Sequence, residues 1–299
     1  MESTLIAGVR AIHFAAAIVL FGQFAYLGAV SPRREVPAGF ARLAAWTSVL
    51  VLVTLLLWLG LEAVSMSGLP LREALGAQTL AVVAAQTLFG RVWVARLLLA
   101  AALLVVVLYL HRHPSQRVAQ AGGGLLAGLV LATIAGAGHA VAGKGVDRAA
   151  HLCADALHLL AAGAWLGALL PLLRLLARRD ALPLAALAAQ RFSTLGIACM
   201  AAILLSGIVN VWYMVADLPA LVHTSYGLMV LAKISLFLLI IVLAAVNRSV
   251  LMPRLLAGDA ALRSLRRNAI AECVLGFAIV VIVGQLGITV PGPHMPHMQ

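Results

Sequence analysis

Eight long apolar runs constrain this chain more than any other feature of its sequence. A helix needs about 20 apolar residues to cross the hydrocarbon core of a bilayer. In lipid, a spanning segment must also satisfy its own backbone hydrogen bonds. The sequence therefore predicts an all-α fold, a polytopic membrane protein built as a bundle of about eight transmembrane helices. The runs lie near residues 5–30, 42–66, 92–110, 120–139, 150–173, 194–215, 227–247 and 268–290.

The composition leaves little material for a soluble domain. Hydrophobic residues make up 64% and charged residues 10% of the 299 positions, against about 45–50% and 25% in soluble domains. We expect one transmembrane helical domain over 1–299, with a His- and Met-rich tail at 292–299. Residues 71–90 mix polar and apolar side chains, which favours an interfacial amphipathic helix over a ninth crossing.

The distribution of Lys and Arg predicts the orientation. Fourteen of them lie in one set of alternate connections and four in the other set. The richer side is expected in the cytoplasm, which places both termini outside a bacterial inner membrane. The formal charge of +11 is explained by these arginines, and without a basic stripe bearing aromatic residues we expect no nucleic-acid partner.

Several chemistries lack their motifs. The chain has no Gly-x-x-x-x-Gly-Lys-Ser/Thr loop, no Gly-x-Ser-x-Gly and no His-Glu-x-x-His, so ATP-driven pumping and the common hydrolases are not predicted. We expect a protein that is not an enzyme. Cys153, Cys199 and Cys273 are widely spaced, which indicates packing residues rather than a thiolate metal motif.

Ionisable residues inside the apolar runs are costly in a bilayer and need an explanation. His151, Asp155 and His158 follow an i, i+4, i+7 spacing, which places them on one face of the fifth helix. Such a face can bind a metal, relay protons or bond neighbouring helices. His13 and His139 are isolated on their helices but are expected at a similar depth. Lys233 and Glu272 are expected to form an ion pair between the last two helices.

The carboxyl-terminal tail offers soft ligands. His294, Met295, His297 and Met298 repeat a His-Met pair across a proline. Imidazole and thioether together suit copper, especially Cu(I). With the intramembrane histidines, the tail favours copper as the ion that this protein handles.

These residues resemble the CopD family of bacterial copper-resistance inner-membrane proteins. The resemblance is best over 150–291 and weaker in Phe89-Gly-Arg-Val-Trp-Val-Ala-Arg96 and Gly138-His139-Ala140. The matching stretches are Asp155-Ala-Leu-His158-Leu-Leu-Ala-Ala-Gly-Ala-Trp165-Leu-Gly167, Arg191-Phe-Ser-Thr-Leu-Gly196, Ser206-Gly-Ile-Val-Asn210-Val-Trp212, Tyr226-Gly-Leu-Met-Val-Leu-Ala-Lys233, Asn247-Arg248 and Arg267-Asn-Ala-Ile-Ala-Glu272.

The resemblance implies copper movement from the periplasm to the cytoplasm, with a small periplasmic CopC-like domain as a partner. It implies metal handling by His13, His139 and His158, with Asp155 supporting these histidines from outside the set of direct ligands. Two alternatives stay open. One is a b-type haem or quinone-linked redox protein, because histidines on different helices can ligate haem. The other is an assembly factor that holds copper without transporting it.

Overall fold

The computed structural model describes residues 2–32, 36–37, 39–137, 145–178, 181–214, 218–257 and 259–289. Within these ranges every regular element is helical. Eight of the helical segments are long and apolar enough to cross a membrane. The predicted all-α bundle of eight spans is therefore confirmed.

Eleven α-helices follow one another along the described chain, and short π or 3-10 turns extend α1, α6 and α10. Eight of the eleven span the membrane, and α3, α4 and α9 are short. The bounds are α1 Glu2–Ala25, α2 Phe40–Ser67, α3 Leu71–Ala74, α4 Ala77–Gln86, α5 Leu88–Arg112, α6 Arg117–Ala132, α7 Gly145–Leu176, α8 Leu182–Met214, α9 Leu218–His223, α10 Ser225–Val246 and α11 Asp259–Leu286.

The segment between α2 and α5 does not form a ninth crossing. It divides into α3 and α4, of 4 and 10 residues, which are too short to span about 30 Å of hydrocarbon. Helix α4 packs on the start of α5, where a Cβ on Gly90 would lie 2.0 Å from the Val83 carbonyl oxygen. Only glycine allows that approach, so the segment is held against α5.

Helix α1 lies at the centre of the bundle and packs against α2, α6, α7 and α11. Two thirds of the residues in its most apolar stretch are buried, compared with 11% for α10 at the periphery. The contact with α7 is close because glycines face each other: a Cβ on Gly22 would lie 2.2 Å from the Cα of Gly167. Small residues at such a crossing let two membrane helices approach backbone to backbone.

The bundle has two chemically different ends. Helices α1, α5, α7 and α10 end, and α2, α6, α8 and α11 begin, at what we call the arginine-rich end; the other is the opposite end. The positive-inside rule predicts that the arginine-rich end faces the cytoplasm.

Candidate metal centre

Two antiparallel helices, α7 and α8, join polar side chains in the half of the bundle nearer the opposite end. His158 Nδ1 lies 3.0 Å from Ser206 Oγ. One turn away, the Asn210 amide Nδ2 donates to Asp155 Oδ1 over 3.3 Å. Asp155 and His158 lie three residues apart on α7, and their partners Asn210 and Ser206 lie four apart on α8, which is about one helical turn in each case. We call these four residues the α7–α8 centre.

The polar stripe of α7 continues on both sides of this centre. Towards the opposite end, the ring of His151 stacks on Tyr213 with centroids 4.8 Å apart and an interplanar angle of 14°. Towards the arginine-rich end, Trp165 donates a side-chain hydrogen bond to Glu272 of α11. The face predicted from the sequence spacing is thus lined with polar contacts over much of the depth of the bundle.

The hydrogen-bond network assigns the tautomer of His158. The Ser206 hydroxyl has one proton, and it donates to the Ala202 carbonyl over 2.5 Å. Ser206 Oγ is therefore the acceptor for His158, whose Nδ1 carries the proton. The lone pair of Nε2 stays available as a ligand. Metal-bound histidines characteristically donate their other ring N–H to a fixed oxygen in this manner.

Two oxygen-bearing side chains, Asp155 and Asn210, lie about one helical turn from His158 and Ser206. The Oδ1 atom of Asn210 is buried without a hydrogen-bond partner, while the Nδ2 of the same amide holds Asp155. A buried acceptor without a partner costs about 1–3 kcal/mol, and a cation next to a carboxylate would satisfy it. Lys233 of α10 also interacts electrostatically with both Asp155 and His158.

His13 repeats the same chemistry on another pair of helices. Its side chain is fully buried, and Nδ1 lies 2.9 Å from Thr54 Oγ1 of α2. Thr54 donates its proton to the Leu50 carbonyl over 2.7 Å, so His13 Nδ1 is the donor and Nε2 holds the lone pair. That Nε2 is buried and has no hydrogen-bond partner.

The surroundings of His13 are cationic. The guanidinium carbons of Arg10 and Arg96 lie 4.8 and 5.3 Å from the centre of the Trp58 ring, and the His13 ring lies 5.6 Å from the same ring. Glu62 supplies one carboxylate, which accepts from Trp58 Nε1 over 2.9 Å. Two guanidinium groups beside one carboxylate repel a metal ion, so this environment suits a cation less well than the α7–α8 centre does.

The structure places His13 and His158 at one level but does not bring them together. Each lies nine residues before its glycine of the Gly22–Gly167 crossing, and α1 and α7 run in the same direction. Nine residues are two and a half helical turns, about 14 Å along each axis. Both histidines therefore point away from the shared interface, His13 to α2 and His158 to α8.

Several predicted ligands fall where the structure gives no description. His139 and the tail residues His294, Met295, His297 and Met298 lie outside the described residues. Among the residues that are described, no three His, Cys, Asp or Glu side chains converge as a metal site. The α7–α8 centre contributes one histidine and one carboxylate from those residue types, with an amide and a hydroxyl beside them.

The structure gives Lys233 and Glu272 different partners from those predicted. Lys233 interacts with Asp155, whereas Glu272 accepts a hydrogen bond from Asn247 Nδ2 over 2.6 Å. The reason is depth along the helices. Lys233 lies eight residues after the start of α10, at the opposite end, and Glu272 lies fourteen before the end of α11 at that same end. The expected ion pair was wrong.

Sequence reasoning missed the hydroxyl and amide residues that hold the two histidines. Thr54, Ser206 and Asn210 are common residue types in apolar helices and were given no role. The four-residue spacing of Ser206 and Asn210 was the available signal, because residues four apart lie on one helical face, as His151 and Asp155 do on α7. No comparable pattern identified Thr54.

Comparisons with known proteins match both halves of the chain. A family model described as "Copper resistance protein D-like, N-terminal domain" matches residues 1–150, and one described as "Copper resistance protein D" matches 186–286. The chain is 31% identical over 243 residues to copper resistance protein D of Pseudomonas syringae pv. tomato, covering 79% of this chain and 77% of that one.

Two further relatives are similar. Inner membrane protein YebZ of Escherichia coli (strain K12) is 29% identical over 256 residues, or 83% of this chain and 84% of the relative. Copper transport protein CutJ of Bacillus subtilis (strain 168) is 31% identical over 172 residues, or 56% of this chain and 30% of the relative. No solved structure matches the chain.

Proposed function

The chain belongs to the copper resistance protein D family of multi-pass inner-membrane proteins, and we propose that it moves copper from the periplasm to the cytoplasm. In this proposal copper is cargo that passes through a histidine site within the bundle. The protein is a carrier rather than an enzyme.

One observation carries the proposal: His158 and Asp155 lie on one face of α7, each held by a side chain of α8, and the Nε2 of His158 is left with a free lone pair. The donor bond from Nδ1 to Ser206 fixes the ring, and Asn210 positions Asp155 while leaving its own Oδ1 without a partner. Imidazole nitrogen and carboxylate oxygen are ligands that Cu(II) accepts. We assign His158 and Asp155 as ligands and Ser206 and Asn210 as positioning residues.

An intramembrane site of this kind serves transport because a bare cation at the middle of a bilayer is prohibitively costly. Protein ligands replace its water. A membrane potential of 100 mV contributes about 2.3 kcal/mol for each positive charge that moves inward. The bundle therefore needs no nucleotide-driven step if the arginine-rich end faces the cytoplasm.

The other predicted ligands take places around this centre. His151, stacked on Tyr213 two turns nearer the opposite end, lies on the route by which copper reaches His158. His139 is proposed as a further intramembrane ligand. The tail, with His294, Met295, His297 and Met298, is proposed as a capture arm that receives copper from a CopC-like periplasmic donor.

The haem alternative needs two histidines that face each other. His13 and His158 lie on opposite faces of the α1–α7 pair, bonded to Thr54 and Ser206, so these two do not form an axial pair. No described contact favours haem over copper. A copper-holding assembly factor would use the same centre, and transport measurements separate it from a carrier.

Uptake into proteoliposomes tests the proposal. Wild-type protein should accumulate copper inside vesicles when the membrane potential is negative inside. Asp155→Asn and His158→Ala should both reduce the rate of uptake to that of protein-free vesicles. His113→Ala is the matched control, because His113 is exposed at the arginine-rich end. Copper that binds to wild-type protein but never enters the vesicles would support the holding role instead.

A further inference from the structure

A cavity of about 300 Å³ lies between α7, α8, α10 and α11 in the half of the bundle nearer the arginine-rich end. Its walls are almost entirely apolar, with Trp165, Leu169 and Leu172 of α7 on one side. This volume lies at the lower end of the range of about 300–1,000 Å³ that is typical of ligand pockets. The cavity lies apart from the α7–α8 centre, none of whose four residues line it.

The cavity opens towards the bilayer. Within the described residues, helix α10 packs on α11 and α9 and scarcely touches α8, whereas the 3-10 turn Met252–Ala257 that follows it does contact α8. A lateral gap is therefore left along α10 before that turn. Ile197 of α8 lines the cavity and is 52% exposed on the lipid-facing surface. Ala245 of α10 is also exposed and lines the opposite side of the opening. An apolar chain can therefore enter from the membrane without crossing water.

The polar groups of the cavity lie near the expected head-group level. A helix that begins at Ser225 has crossed about 30 Å of hydrocarbon after about 20 residues, which brings Arg248 close to that boundary. The Arg248 guanidinium is exposed and donates to Ser193 Oγ over 2.8 Å. This bond uses one of its five N–H groups. Glu272 also lines the cavity but is 3% exposed and accepts a hydrogen bond from Asn247, so Arg248 is the exposed charged group of the cavity.

We propose that this cavity binds one anionic phospholipid of the cytoplasmic leaflet. One acyl chain fills the apolar space between α8 and α10, and the phosphate pairs with Arg248. Charge selects the occupant, because guanidinium and phosphate form strong, geometrically matched hydrogen bonds. The lipid fills the gap between α8 and α10 and so stabilises the position of α10, the most peripheral helix of the bundle.

Native mass spectrometry of the purified full chain tests this proposal. With equimolar phosphatidylglycerol and phosphatidylcholine, the wild type should keep one phosphatidylglycerol at collision energies that remove phosphatidylcholine. Arg248→Gln should weaken that retention about fivefold, as expected for one cation at a membrane surface, and Ala245→Trp should abolish it by blocking the entrance.

Arg254→Gln is the matched control, because Arg254 is exposed at the same end and does not line the cavity. It should retain phosphatidylglycerol like the wild type. The thermal midpoint should rise with phosphatidylglycerol in the wild type and the control only. Equal retention of both lipids by the wild type, or unchanged retention in Arg248→Gln and Ala245→Trp, would overturn the proposal.

Discussion

Gly22 of α1 and Gly167 of α7 are in backbone contact, so close that a Cβ added to Gly22 would lie 2.2 Å from the Cα of Gly167. This contact fixes the register of two parallel helices. His13 and His158 owe their common depth to it, because each lies nine residues before its glycine.

Gly22→Ala should therefore destabilise the bundle, because the backbones of α1 and α7 would have to separate. Overpacking of this kind costs about 1–3 kcal/mol. The control is Gly8→Ala on the same helix, where an added Cβ meets nothing within 4 Å. The thermal midpoint of each purified variant gives the comparison. Equal midpoints for the two variants would show that the close crossing does not hold the helices.

Ser206→Ala should weaken copper binding about 10–100-fold, the usual effect of removing the group that orients a metal-bound histidine. His158 would lose the acceptor for Nδ1–H, and its tautomer and orientation would no longer be fixed. Gly207→Ala is the control, since its Cβ would lie at an ordinary 3.6 Å from His158 Cε1. Competition with a copper chelator measures both affinities. Equal affinities in the two variants would remove Ser206 from the site.

Lys233→Met should strengthen copper binding on the order of tenfold, or about 1.4 kcal/mol. The ammonium interacts with Asp155 and His158 and therefore repels a cation placed between them. Lys233→Arg keeps the charge and should bind copper like the wild type. Weaker binding in Lys233→Met would show that this lysine supports the site instead of opposing the ion.

The orientation follows from the fourteen-to-four distribution of Lys and Arg between alternate connections. A reporter enzyme active only outside the cytoplasm should be active when fused after Gln299 and inactive when fused near Arg179. The reversed pattern would place the α7–α8 centre nearer the cytoplasm, and inward transport from that centre would no longer be supported.

The fold was predictable because hydrophobic length is a strong and local signal. Each span of about 20 apolar residues can be recognised on its own, and each of the eight predicted spans overlaps one of the eight long apolar helices of the structure. The break of residues 71–90 into α3 and α4 was less visible, since the close approach of Gly90 to Val83 is a packing feature that no periodicity reveals.

The site was only partly predictable. The i, i+4, i+7 spacing on α7 correctly predicted one polar face, because helical geometry alone determines it. The partner of each residue depends on which helix packs there and at what level. His158 therefore bonds to Ser206, and Lys233 interacts electrostatically with Asp155, although these positions lie far apart in the sequence.

Copper binding by the purified protein tests the central claim most directly. Wild-type protein loaded with copper and freed of excess ion should retain it, and His158→Ala combined with His139→Ala should lose the tightest site. His113→Ala, altered at an exposed position, should bind like the wild type. Metal analysis with visible absorption of the same samples gives the result. Wild-type stoichiometry and affinity in the double variant would contradict the assignment to His158, and a strong Soret band in freshly purified protein would identify haem instead of copper.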